Sequence, residues 1–163
     1  MAKLLPIKIY GCPLLRKKSN LLLTEELQKN EIKQLFLDME KTMKEKDGIG
    51  LAAPQIGQNI RVVVISIENE PLVLVNPKIL RKSWKKEIME EGCLSLPGIF
   101  GLVRRSVKIT ITAFDKKGKK LKFKAKGMFA RVIQHEIDHL EGILFIDKAK
   151  KITKGQEKLK NMV

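Results

Sequence analysis

The chain has 163 residues, room for one hydrophobic core and little more, so a single compact domain over residues 1–163 is expected. Apolar residues make up 44 % and are spread along the sequence, which argues against disorder, and no apolar run approaches the roughly 18 to 20 residues that span a bilayer. Lys and Arg number 33 against 18 Asp and Glu, and this net charge of +15 biases the chain toward acidic partners.

The lysine excess is scattered, so a solvated surface accounts for it at least as well as a nucleic-acid site does. Aromatic residues, at 5 %, show no alternation with basic ones of the kind single-strand binders use. Residues 1–6 are too short for the apolar region of a signal peptide, so the expected compartment is the cytoplasm. Cys12 and Cys93, far apart and without an export signal, are expected as free thiols or ligands.

In chain order, residues 1–23 read as an irregular lead-in with turn signals at Pro6 and at Gly11-Cys12-Pro13. Thr24, with Glu25 and Glu26 behind it, predicts the start of one long amphipathic helix. Leu27, Ile32, Leu35, Phe36, Met39 and Met43 supply its apolar stripe, and Asp47-Gly48 its stop. Residues 48–57 are too rich in Gly and Pro for a regular element. Strands are predicted over 61–67 and 72–75, separated by a polar turn at 68–71, with a weaker candidate over 84–90. Residues 107–113 and 121–125 alternate apolar with Lys or Thr around a turn at 115–118, which predicts a hairpin with one solvated face. A helix is predicted from Met128 to Leu140. Residues 148–163 read as a basic C-terminal tail or helix. The fold class that follows is α+β, with antiparallel strands packed around a central helix.

That central helix carries His135-Glu136-Ile137-Asp138-His139, which holds both histidines of the chain. A spacing of four is slightly more than one helical turn, so the two imidazoles share a face and can bind one cation together. Glu136 is rotated off that face and is better placed to handle protons on water than to bind metal. A catalytic site of this kind usually offers three protein ligands. Glu141 and Asp147 lie downstream, but Glu141 is only two residues past His139 and points off the ligand face. Cys93, in a glycine-flanked turn, competes well as a thiolate ligand for Fe²⁺ or Zn²⁺.

Residues 48–57, 91–95 and 134–139 resemble the three signature blocks of peptide deformylases, in the same order and at similar separations. The resemblance implies a metal-dependent hydrolase that removes the formyl group from the N-terminal formylmethionine of newly synthesised polypeptides and releases formate. By the same resemblance, Cys93, His135 and His139 hold one divalent metal, Fe²⁺ being favoured and Zn²⁺ the alternative. A metal-bound hydroxide attacks, Glu136 serves as general base and then acid, and the Gln55 amide and the Leu94 backbone N–H stabilise the oxyanion. Substrate lies as an extended strand near Ile49, Gly50 and Gly92, with its methionine in a pocket of Ile49, Met89, Met128 and Val132.

Three positions bear on that resemblance. Arg131 stands where many relatives are apolar, so either its guanidinium snorkels out while its stem covers the pocket wall, or the rim is altered. Cys12 stands where an acidic residue commonly precedes the proline. Glu91 and Arg105 are expected to pair and brace the Cys93 turn. The partners implied are formylmethionyl nascent chains and, through Lys148, Lys150, Lys151, Lys154, Lys158 and Lys160, the ribosome; a monomer with no membrane contact is expected. Two other functions compete: a metallopeptidase cutting internal bonds with the same metal and base, and a basic RNA- or ribosome-binding module whose metal is structural.

Overall fold

The structure, a computed structural model, describes residues 1–68 and 70–162. Asn69, in the turn expected at 68–71, and Val163, at the end of the tail, lie outside the described residues. Among the described residues, eight strands form two antiparallel sheets. The first has the order β1-β2-β3-β6-β7, built from Gly50–Ala52, Val62–Ile67, Glu70–Lys82, Lys108–Phe114 and Lys120–Lys126. The second has the order β4-β5-β8, from Lys86–Cys93, Leu96–Ser106 and Ala149–Lys154.

Strand β2 explains how the first sheet is covered on both faces. Its run of valines and isoleucines alternates sides, so Val63 and Ile65 join the cluster containing Ala130, Ile133, Ile137 and Leu140 of helix α2 (Gly127–Leu140). Val62 and Val64 join a second cluster with Phe36, Met39 and Met43 of helix α1 (Asn30–Glu45). A fully buried Val or Leu contributes about 1.5–3 kcal/mol, so these two clusters supply much of what holds the sheet between its helices. Helix α2 also packs on β5 and thus lies at the junction of the two sheets. Gln134 fastens it there, its amide donating to the Ser106 carbonyl (2.9 Å) and accepting from the Ser106 N–H (3.3 Å).

The β6–β7 hairpin forms as predicted, with Ile109, Ile111 and Ala113 buried opposite Ala125, Phe123 and Leu121. Elsewhere the elements depart from expectation. The long N-terminal helix is two pieces, a 3-10 turn at Thr24–Gln28 and then α1, because Lys29 is extended (ψ 137°). Leu27 and Ile32 are five residues apart, one more than a helical stripe allows, and the kink lets Leu27 reach full burial. Residues 50–56, expected to be irregular, form the short edge strand β1 and a 3-10 turn, Ala53–Ile56.

Strand β5 was not foreseen, and β3 runs well past the predicted 72–75. The basic tail is not one helix. After a short helix α3 (Phe145–Lys148), residues 149–154 become strand β8 on β5, and only Gln156–Asn161 are helical (α4). A third cluster explains the difference: Ile152, Leu159 and Met162 pack with Leu15, Leu96, Ile99 and Phe145, so the sparse apolar residues of the tail complete a core with the N-terminal lead-in. No helix among the described residues is long and apolar enough to cross a membrane.

Candidate metal centre and substrate cleft

Strand β1 is an edge of the first sheet and β4 an edge of the second. Between them opens a cleft of about 480 Å³ whose lining includes residues 48–50 on one lip and 90–94 on the other. Helix α2 closes it from below with Met128, Arg131, Val132, His135 and Glu136. The register shift between Gly92 and Cys93 ends regular pairing at the turn after β4, which presents Cys93 to the helix.

Ligand atoms of Cys93, His135 and His139 all lie within 4.8 Å of one another, with Cys93 Sγ 3.2 Å from His139 Nε2. Glu141 and Asp147, the other candidates for third ligand, are engaged elsewhere. Glu141 pairs with Arg61 at 2.6 Å and Asp147 with Arg16 at 2.5 Å. The set of one thiol and two imidazoles suits a divalent transition metal. His139 is buried, its Nδ1 has no partner among the described residues, and burial, then the His135 and Arg105 charges, hold its pKa well below the ordinary value. It is therefore a neutral imidazole, the form that ligates.

His135 is oriented from behind. Its Nδ1 lies 3.0 Å from Glu91 Oε2, which turns Nε2 toward Cys93 and His139. Burial lowers the His135 pKa, but hydrogen bonds to Cys93 and Glu91 and the Glu136 charge outweigh it and raise the value to about 10. A metal ion held there would have to displace that proton. Metal uptake at neutral pH is therefore expected to release a proton from His135, and apparent affinity to climb as pH rises toward 10. Calorimetry in buffers of different ionisation enthalpy checks this; uptake with no proton release at pH 7 would contradict it.

Glu91 itself is held by two guanidiniums. Arg105 donates through Nε (2.6 Å) and Nη2 (2.9 Å), and Arg131 through Nη1 (2.7 Å). Arg105 continues to Asp138 (2.8 Å), which Lys148 meets from the far side at 2.7 Å. The expected Glu91–Arg105 pair is present, and it is buried rather than solvated. Arg131 does not snorkel: it is 5 % exposed and also donates to the carbonyls of Val103 and Glu87.

Glu136 is 4 % exposed, and its Oε2 has no partner among the described residues. Burial pushes its pKa up to about 7 against the opposing charges of His135 and Arg105. Gly50 accommodates the carboxylate, since a Cβ at that position would overlap it. Gln55 is aimed by its own backbone turn: its Oε1 accepts from Ala52 N–H (2.9 Å), leaving Nε2 to reach Cys93 Sγ (3.4 Å) and Ser95 Oγ (3.2 Å).

A family model described as polypeptide deformylase matches residues 4–155. The chain belongs to the polypeptide deformylase family. A peptide deformylase of Dictyoglomus thermophilum is 43 % identical over 153 residues, which cover 93 % of this chain and 97 % of that one. Among solved structures, the peptide deformylase of Thermotoga maritima superposes with a TM-score of 0.87 at 37 % identity, covering 91 % of this chain and 99 % of its own. A Met-Ala-Ser-bound class I type b peptide deformylase from Acinetobacter baumannii gives 0.88 at 34 % identity, with 91 % and 99 % covered. The chain is thus a metal-dependent hydrolase that takes the formyl group from N-terminal formylmethionine of new polypeptides.

Within this deformylase cleft the structure gathers Ile49, Gly50, Gln55, Gly92, Cys93, Leu94, Met128, Val132, His135 and Glu136, with His139 buried beneath them. Met89, also expected in the methionine pocket, is 36 % exposed on β4, on the strand face that carries Glu91 two residues further on. Phe100, Pro97 and Gly98 also line the cleft and were missed with β5 itself. Phe100 pairs opposite Gly92, where any Cβ would press on its ring.

Proposed function

We propose that Cys93, His135 and His139 hold the metal ion of this deformylase and that the cleft between β1 and β4 seats the formylmethionyl end of the substrate. When bound, the ion supplies a Lewis acid that acidifies a water molecule and polarises the formyl carbonyl. Glu136 takes the proton from the attacking water and delivers it to the departing amine, a role suited to a buried carboxylate with one unpartnered oxygen and a pKa near neutrality. As the formyl oxygen gains negative charge, Gln55 Nε2 and the Leu94 N–H donate to it. Gln55 needs little rearrangement for this, because its amide is already fixed through Ala52.

The peptide chain adds to the edge of β1 at Ile49 and Gly50, with Gly92 on the opposite lip, and the methionine side chain lies on Ile49, Met128 and Val132. Recognition through backbone tolerates varied residues after methionine. The relative carrying Met-Ala-Ser, a tripeptide that opens with methionine, supports the seating of such a chain here. Residues 1–163 act as one catalytic domain and as a monomer in the cytoplasm. Fe²⁺ is the native ion, with Zn²⁺ able to occupy the same ligands; metal analysis after anaerobic purification, paired with activity, decides between them.

The tail lysines favour the acidic ribosome surface, although Lys148 is committed to Asp138, and β8 fixes Lys150, Lys151 and Lys154 on a strand rather than a free tail. Co-sedimentation that is lost with salt and with those lysines supports the contact.

One observation carries the catalytic reading: a thiol and two imidazoles converge beside a buried carboxylate, one of whose oxygens has no partner among the described residues, at the base of an open cleft. Metal-replete protein is expected to release formate from a formyl-Met peptide and none from its acetylated or unformylated equivalents. Internal cleavage without formate would overturn the assignment in favour of an endopeptidase.

A further inference from the structure

A second cleft, of about 510 Å³, shares no lining residue with the first. Lys82 at the end of β3, Lys86 at the start of β4, Arg104 on β5 and Lys148 at the end of α3 converge on it from four separate segments. Its lining also includes Arg105, and it contains no carboxylate among the described residues. Asp138, below it, is already taken by Arg105 and Lys148. Burial first, and then the Lys148 charge, outweighing Asp138, lower the Lys82 pKa.

At the rim stands Trp84, the only tryptophan of the chain and 99 % exposed. Its backbone is pinned on both sides. Ser83 N–H donates to Lys108 O (2.9 Å), Val107 N–H donates to Lys85 O (3.1 Å), and Ser106 Oγ donates to Ser83 O (3.0 Å). A rigid corner thus holds a fully exposed indole beside a cationic hollow.

We infer that this corner binds single-stranded RNA, with backbone phosphates on Lys82, Lys86 and Arg104 and a base stacked on Trp84. Cations alone would accept any anion; the indole adds the flat apolar partner that a nucleobase requires. A lipid surface would call for a contiguous apolar face, and the cleft around Trp84 is lined by Lys, Arg and Ser. Aromatic and basic residues do not alternate along this sequence, and it is the fold that brings them together. The inference is independent of the catalytic reading, which uses none of Lys82, Trp84, Lys86 or Arg104.

Because Trp84 is the sole indole, its fluorescence reports on this site alone. Titrating the metal-loaded full chain with a ten-nucleotide oligouridylate is expected to quench it saturably. By anisotropy of the labelled oligonucleotide, Trp84→Ala should weaken binding on the order of 10-fold. Lys86→Ala with Arg104→Ala should weaken it similarly and lower the slope of log affinity against log salt by about 1.4. All three substitutions should leave formate release unchanged, which certifies the fold, and Lys150→Ala with Lys151→Ala should leave the quench intact. RNA binding without a change in Trp84 emission would overturn the inference. So would equal quenching by heparin, or a stronger Trp84-dependent response to anionic vesicles or an acidic peptide.

Discussion

Glu136→Gln is expected to lower formate release by about 100- to 10,000-fold while metal content stays that of the wild type. The amide matches the carboxylate in volume, so the close fit against Gly50 survives, yet it cannot accept a proton from water. Metal retention follows because Glu136 is not among the converging ligand atoms. Stability should hold or rise, since the substitution removes a buried ionisable group that burial already pushes up to about 7. Turnover, metal analysis and thermal unfolding on the same preparation test all three statements. Activity within a few-fold of wild type would rule out Glu136 as the proton carrier, and loss of metal would mean it helps hold the ion.

Glu91→Ala should damage both fold and metal site. It strips the shared partner from Arg105 and Arg131, leaving two buried guanidiniums short of a counter-charge, at a cost of about 3–5 kcal/mol for breaking such a pair. It also frees His135 Nδ1, and losing an orienting partner of this type weakens metal binding by about 10- to 100-fold. Glu91→Gln separates shape from charge. Burial raises the Glu91 pKa, but hydrogen bonds from His135 and Arg105 outweigh it and bring the value to about 2, below the ordinary 4.5. A depressed carboxylate stabilises the fold fully above pH 4.5 and loses that contribution as pH falls through about 2. The stability gap between wild type and Glu91→Gln should therefore be widest at neutral pH and narrow over that acid window. A gap independent of pH would mean that packing, not charge, is what Glu91 contributes.

The metal centre was legible in the sequence to the extent that its parts are local. His135, Glu136 and His139 lie within two turns of one helix, and the β6–β7 hairpin announces itself by strict alternation. What depends on distant pairing was not. Strand β5 contains Gly98, Gly101 and the Arg104-Arg105 pair, which break any apolar rhythm; it forms because β4 and β8 flank it. Strand β8, with lysines at three of six positions, reads as solvated tail until Ile152 finds its place in the third core. For Arg131 two readings stood open, a snorkelling guanidinium or an altered pocket rim, and its place in the cleft lining fits the second. An arginine on an apolar helix face suggests snorkelling, and only β4, folded over it, supplies the Glu91 carboxylate and the Glu87 carbonyl that draw it inward.

The placement of the ligands has a mechanical consequence. Cys93 ends β4 of the second sheet, whereas His135 and His139 ride on a helix whose apolar face is buried against the first. A metal ion held by all three would tie the β4 lip to the floor of the cleft, linking residue 93 to residue 139 across a long span of chain. Because those three side chains converge only in the folded chain, binding the ion would add to its stability. Loss of the ion then costs more than chemistry: it unfastens the jaw in which the substrate is gripped, so a demetallated molecule should hold formylmethionyl peptides loosely even before the question of turnover arises.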